Sequence, residues 1–173
     1  MYLKQNNLVI RNATVEDAEI LCAWWNDGKV MAHAGFPNGI GTTIQRITDS
    51  LKHDNDENRL LILEIDRIPV GEMNYRTVNE GVAEIGIKIC DFRWQEKGFG
   101  TAFMKMLIQY LFNEMGYQKI ILDTNMKNTR AQHVYEKIGF RKVAVNVDSW
   151  KDQLGELQSS IDYELLKEEY NPI

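Results

Sequence analysis

The chain has 173 residues, 44% hydrophobic and 26% charged, a composition that fits one soluble globular domain over residues 1–173. Twenty Lys and Arg against 25 Asp and Glu leave a formal net charge of −5, which argues against a nucleic-acid or anionic-membrane surface. Cys22 and Cys90 have neither metal nor redox spacing, the first residues lack the apolar core of a signal peptide, and no apolar run approaches transmembrane length, so a cytoplasmic protein with two reduced thiols is expected.

Residues 8–11 read as a short strand. Thr14 opens a Thr-x-x-Asp start that resembles a capping box, and Ala18, Leu21, Cys22 and Trp25 recur at helical spacing. That helix should end near Asn26-Asp27-Gly28, with Gly28 as a left-handed C-cap. Residues 31–41 carry Gly35, Pro37, Gly39 and Gly41 and read as a loop; a second helix over about 43–53 shows Ile44, Ile47 and Leu51 on one face. Residues 59–65, 70–78 and 82–90 are strand signals joined by Asp66-Arg67 and Asn79-Glu80-Gly81, which predicts an antiparallel meander. The third strand alternates Ile85, Ile87 and Ile89 with Glu84, Gly86 and Lys88. From there the pattern changes to helix, strand, helix, strand: a helix over 101–115, a buried strand at 120–122, a helix over 129–138 closed by Gly139, and strands at 140–147 and 159–166. The fold class expected is α/β, a mixed sheet with helices on both faces.

Gln95-Glu96-Lys97-Gly98-Phe99-Gly100 lies between the third strand and the long helix. Two glycines at a helix mouth leave backbone N–H groups free to meet a phosphate, and a side chain there would hold the ligand off. The pattern is also that of a common tight turn. A second informative stretch runs from Asn128 through Tyr135 to Gly139-Phe140. Asn128 reads as an N-cap, and Tyr135 as a mid-helix aromatic covering the sheet edge.

Taken together, Gln-x-x-Gly-x-Gly after a strand and Asn-x-x-Ala-x-x-x-Tyr-Glu-Lys-x-Gly-Phe downstream resemble the GNAT N-acetyltransferase superfamily, and the order of elements fits it along nearly the whole chain. The Glu84-Ile85-Gly86 start and residues 128–140 look most like the branch containing ribosomal-protein N-terminal (Rim-type) acetyltransferases, which also contains enzymes for small amines. The resemblance implies a mostly antiparallel central sheet with a splayed parallel pair. It further implies acetyl-CoA as acyl donor and direct transfer to a primary amine, small or at a protein N-terminus. By the same resemblance the backbone of Gln95, Glu96, Lys97, Gly98, Phe99 and Gly100, with the Thr101 hydroxyl, holds the pyrophosphate. Ile87, Lys88 and Ile89 pair with pantetheine, Asn128 and Arg130 contact the cofactor, and Tyr135 is the general acid. Glu96 departs from the family, where glycine or arginine is usual.

Such chemistry also needs a base. Glu84, on the polar face of the third strand, is the first candidate and Glu72 the second; a water is the alternative, and either glutamate also reads as a solvated strand residue. The resemblance places the acceptor against residues 24–43, where Trp25, Asn26, Asp27, His33 and Phe36 are candidates. Trp25 lies on a core stripe, and a loop His33 is more often bonded to backbone. Asp27, Glu72 and Glu84 offer negative charge to an ammonium. No metal spacing, Gly-x-Ser-x-Gly or Walker loop is present. A non-catalytic acyl-CoA-binding regulator is the alternative on the same fold. A homodimer through the last strands is expected from their uncovered edge.

Overall fold

In the computed structural model, which describes residues 1–171, the strand Asn58–Ile65 sends alternate side chains into two different cores. Leu61, Leu63 and Ile65 join one cluster and Ile62 the other, because successive strand residues point to opposite faces. Helices therefore cover both sides of the sheet at this point.

The strands are β1 (Tyr2–Gln5), β2 (Leu8–Asn12), β3 (Asn58–Ile65), β4 (Ile68–Asn79), β5 (Val82–Ile89), β6 (Lys119–Asn125), β7 (Arg141–Lys151) and β8 (Leu157–Leu166). They form one mixed sheet in the order β1-β2-β3-β4-β5-β6-β8-β7, antiparallel throughout except for the β5–β6 pair. The helices are α1 (Ala18–Trp25), α2 (Gly28–Met31), α3 (Ile44–Leu51), α4 (Phe99–Asn113) and α5 (Thr129–Ile138). None of the described helices is long and apolar enough to cross a membrane.

On one face α4 buries Phe103, Met104, Leu107, Ile108 and Leu111 against Met73 and Tyr75 of β4, Ala83 and Ile85 of β5, and Ile120 and Leu122 of β6. On the other face Ala18 and Leu21 of α1 and Ile47 of α3 pack over Ile62. A part-buried cation fixes α1 there: Arg11 of β2 grips both oxygens of Asp17 at 2.8 Å and Glu64 of β3 at 2.7 Å. The bidentate fork explains why an arginine serves at this joint.

The expected meander is present, and Asp66 and Arg67 make its tight turn with φ of 53° and 67°. Several local details were not expected or need correction. Tyr2–Gln5, which shows no apolar alternation, pairs with β2 through its main chain. Residues 31–41 are not wholly loop, since α2 ends at Met31 and a 3-10 turn covers 32–34. Gly28 is not a left-handed cap but the first residue of α2; its missing Cβ leaves room for the Pro37 carbonyl oxygen, 1.9 Å from where a Cβ would stand. The long helix starts at Phe99 rather than 101, and β7 runs on to Lys151 past an irregular stretch with Asp148 at φ 48°.

Because Phe103 is fully buried between α4 and the sheet, Phe103→Ala is expected to cost about 3–5 kcal/mol, read as a lowered midpoint in urea unfolding.

Candidate active site

Two parallel strands that part company leave main-chain groups unpaired on both. β5 pairs with β6 only from Val82↔Lys119 to Glu84↔Ile121, although the strands continue to Ile89 and Asn125. Beyond Glu84 a cleft of about 660 Å³ opens between them. Gly86, Ile87, Lys88 and Ile89 line one wall, Asp123, Thr124 and Asn125 the other. The glycine loop and α5 border it, and Lys29, Val30, Ala32, His33, Ala34 and Trp150 complete this part of the lining.

The glycine loop is held to the end of β5 by Gln95, whose Nε2 donates to the Ile89 carbonyl at 2.8 Å. Its own N–H is engaged with the Phe92 carbonyl at 3.2 Å, so the free donors begin one residue later. The N–H groups of Glu96, Lys97, Gly98, Phe99, Gly100 and Thr101 have no acceptor among the described residues. Glu96 at φ 60° and Gly98 at φ 83° curl the chain into the first turn of α4, which gathers these donors at the positive end of the helix dipole. A Cβ on Gly98 or Gly100 would meet nothing within 4 Å. Packing inside the chain therefore does not demand these glycines, and the open space above them fits a diphosphate laid on the backbone. Glu96 turns its carboxylate toward Arg130, 3.4 Å away, which offsets an anion beside the cradle. Trp94 stacks edge-on to Phe99 at 5.4 Å with Lys97 5.7 Å over its ring.

Along α5, Asn128 caps the helix by accepting from Ala131 N–H at 3.2 Å, and its amide nitrogen has no partner among the described residues. Tyr135 is buried against Phe140 and Tyr163, with ring centroids at 6.0 and 5.7 Å, and borders the cleft. Burial first, and then the charge of Asp123, push its phenol up to about 12, so it carries its proton at neutral pH.

The side of the sheet opposite α4 is polar at this point. Glu72 faces Lys88, Asn74 faces Gly86, and Arg76 faces Glu84 across β4 and β5; Asp123 faces Asp162 across β6 and β8. Glu72 is buried and bonded to Lys88 Nζ at 3.1 Å, and its charge is what chiefly raises the lysine's pKa. Glu84 is held by Arg76 Nη2 at 2.9 and 3.1 Å. Asp162 accepts from Asn146 at 3.0 Å, and Asp123 has no cation bonded to it. Asp123 meets water in the cleft, but the surrounding walls hinder its solvation. That burial, followed by the charges of Glu84 and Asp162, raises its carboxyl above the ordinary range.

Of the candidate residues, the cleft brings together Ile87, Lys88, Ile89, Gln95, Glu96, Gly98, Gly100, Thr101, Asn128, Arg130, Tyr135 and His33. Partial burial and nearby Arg130 lower the His33 pKa, which keeps the ring neutral. Glu84 and Glu72 lie on the same polar face but outside the lining, each tied to its cation. Asp27 caps α2 by accepting from Lys29 N–H at 2.8 Å, and Phe36 is 37% exposed beyond the lining. Asn26 braces the loop through Thr42, with bonds of 2.8 and 3.0 Å. Asp123, Ser160 and Trp150 were not among the candidates. A carboxylate ending the apolar run Ile120-Ile121-Leu122 was the one available sign of Asp123. Cys90 is buried with its thiol pushed up, hence inert, and no group of metal-binding side chains occurs among the described residues.

Comparison with known proteins bears on the family and the fold. Residues 7–141 match the model of the acetyltransferase (GNAT) domain. The uncharacterized N-acetyltransferase p20 of Bacillus licheniformis is 27% identical, with 97% of each chain covered. A crystal structure of spermidine N-acetyltransferase from Vibrio cholerae, in complex with CoA and spermine, superposes with a TM-score of 0.84 at 21% identity, covering 96% of this chain and 99% of that one. A RimL ribosomal alpha-N-protein acetyltransferase in complex with coenzyme A gives a TM-score of 0.84 at 12% identity over 96% and 98% of the two chains.

Since Gly100 has ordinary φ and open space above it, Gly100→Val is expected to leave the thermal midpoint nearly unchanged. It should weaken CoA binding by at least about tenfold in isothermal titration, a loss of about 1.4 kcal/mol. Unaltered affinity would remove the loop from the cofactor site.

Proposed function

The chain belongs to the GNAT acetyltransferase family, and from that we propose that it moves the acetyl group of acetyl-CoA onto the primary amine of a small cationic acceptor. The observation that carries this reading is one cleft joining an unpartnered amide cradle at residues 96–101 to Asp123 and Tyr135. The acceptor class rests on Asp123 and Asp162, two carboxylates facing each other across β6 and β8 with no arginine or lysine bonded to either. A spermidine acetyltransferase among the structural neighbours is in keeping with a cationic amine. A protein N-terminus is the second reading, supported by the likeness of residues 128–140 to the Rim-type branch.

Bound acetyl-CoA would supply the activated acetyl group, held by the N–H groups of residues 96–101, the backbone of Ile87 to Ile89 along the edge that β6 leaves, and Asn128 Nδ2. Asp123 attracts the ammonium and takes its proton as the nitrogen becomes nucleophilic. A raised pKa suits a carboxylate for this task, because it makes the group a stronger base. Glu84 has the supporting part of raising that pKa by its charge. Tyr135, protonated up to about pH 12, holds the proton that a leaving thiolate requires. The exposed valines Val143, Val145 and Val147 on the outermost strand β7 support the expected pairing of two copies along that edge.

Thiol release measured with a panel of polyamines, monoamines and peptide N-termini tests the activity, and acetyl-CoA binding with no turnover of any amine overturns it. The base must be ionised to act, so kcat/KM falls as pH drops through the raised Asp123 pKa. Asp123→Asn is expected to abolish this acid limb and lower kcat by about 10²–10⁴. Glu84→Gln removes a neighbouring charge and should shift the limb to lower pH instead. If Glu84→Gln abolishes the limb and Asp123→Asn keeps the full rate, the two acids exchange roles. Tyr135→Phe should lower kcat by about 10²-fold and leave acetyl-CoA affinity nearly intact.

A further inference from the structure

One border of the cleft is a segment that the distant β7–β8 turn holds in place. It contributes Lys29, Val30, Ala32, His33 and Ala34 to the lining, which Trp150 of β7 shares. The chain then turns through residues 35–40, where it contributes no strand and no helix. Gln153, in the connection after β7, bonds to this turn three times. Its Oε1 accepts from Asn38 N–H at 2.9 Å, its Nε2 donates to the Gly39 carbonyl at 2.9 Å, and its own N–H donates to the Gly35 carbonyl at 2.8 Å. The Trp150 ring lies directly on Gly35: a Cβ there would stand 2.4 Å from Cζ3 and 2.9 Å from Cη2. Gln153 is exposed, does not line the cleft and belongs to neither core cluster.

We propose that Gln153 is a positioning residue for the acceptor, setting the distance between the His33 segment and Trp150 and with it the width of the cleft's amine-binding end. Among the described residues, the cofactor cradle at 96–101 shares no hydrogen bond with Gln153, residues 35–39 or Trp150. The latch therefore acts on the acceptor and not on acetyl-CoA, by ordering the wall before the amine arrives. This assignment of the ends rests on the acetyltransferase reading above.

Gln153→Ala, compared with the unaltered protein, provides the test. The KM for the best amine of the panel is expected to rise about tenfold, as the loss of one or two neutral hydrogen bonds implies. The kcat and the KM for acetyl-CoA should stay within about twofold. Amide hydrogen exchange should speed up about tenfold over residues 35–40 and stay unchanged over 96–101. Gln153→Glu keeps the acceptor for Asn38 N–H but loses the donor to Gly39, so its amine KM should fall between the two. An unchanged amine KM, an equal rise in both KM values, or unaltered exchange at 35–40 overturns the proposal. Should the unaltered protein acetylate no amine, the acetyltransferase reading fails, while the exchange measurement still decides whether Gln153 orders the turn.

Discussion

The site depends on one interrupted set of hydrogen bonds. Parallel pairing between β5 and β6 stops at Glu84↔Ile121, while β4 continues to hold β5 and β8 continues to hold β6 to their ends. Each strand thus stays rigid where it loses its neighbour, and the gap keeps its shape without a ligand. The backbone of Ile87 to Ile89 is presented on one side, and Asp123 with Asn125 on the other. The cores on both faces make this affordable in free energy, because α4 covers the strands below the gap with fully buried side chains.

Charge is distributed unevenly across the polar face that the gap opens onto. Near β4 the acids are matched with cations, Glu72 by Lys88 and Glu84 by Arg76. Past the gap the matching ends: Asp123 faces Asp162, whose partner is the neutral Asn146. Like charges brought together in a partly desolvated wall raise the pKa of the one most hindered from water, here Asp123. The same carboxylate acts across the cleft on Tyr135, raising its phenol. Burial is the larger cause of both shifts, and the neighbouring carboxylates add to it.

Much of this was legible along the chain. The meander of β3, β4 and β5, the β–α–β passage through α4, and Asn128 as cap of α5 follow from periodicity and terminal residues that act locally. The glycine loop was legible because free backbone donors and missing Cβ atoms are properties that residue identity states directly. Membership of the GNAT family was legible too, since two motifs at the right separation specify more than either one does. What could not be read were pairings without a side-chain pattern. β1 joins the sheet by main chain alone, and Gly28 serves a carbonyl nine residues away rather than a left-handed turn.

The acids show most clearly where the sequence stops and the tertiary structure takes over. Glu84 and Asp123 are both carboxylates on strands, and alternation places each on the polar face of its own strand. Alternation does not state where the pairing of β5 with β6 ends, nor that Arg76 lies opposite Glu84 while no cation lies opposite Asp123. Apart from the Arg76–Glu84 hairpin pair, those facts depend on register between segments roughly 40 residues apart, and they decide which carboxylate opens into the cleft. The turn at residues 35–39 is likewise held by Gln153 and Trp150, more than a hundred residues away. Fold, family and a glycine loop with free backbone donors are written in local pattern. Which acid opens into the cleft, and what borders it there, depends on tertiary structure, because solvation and charge at a residue belong to whatever is folded against it.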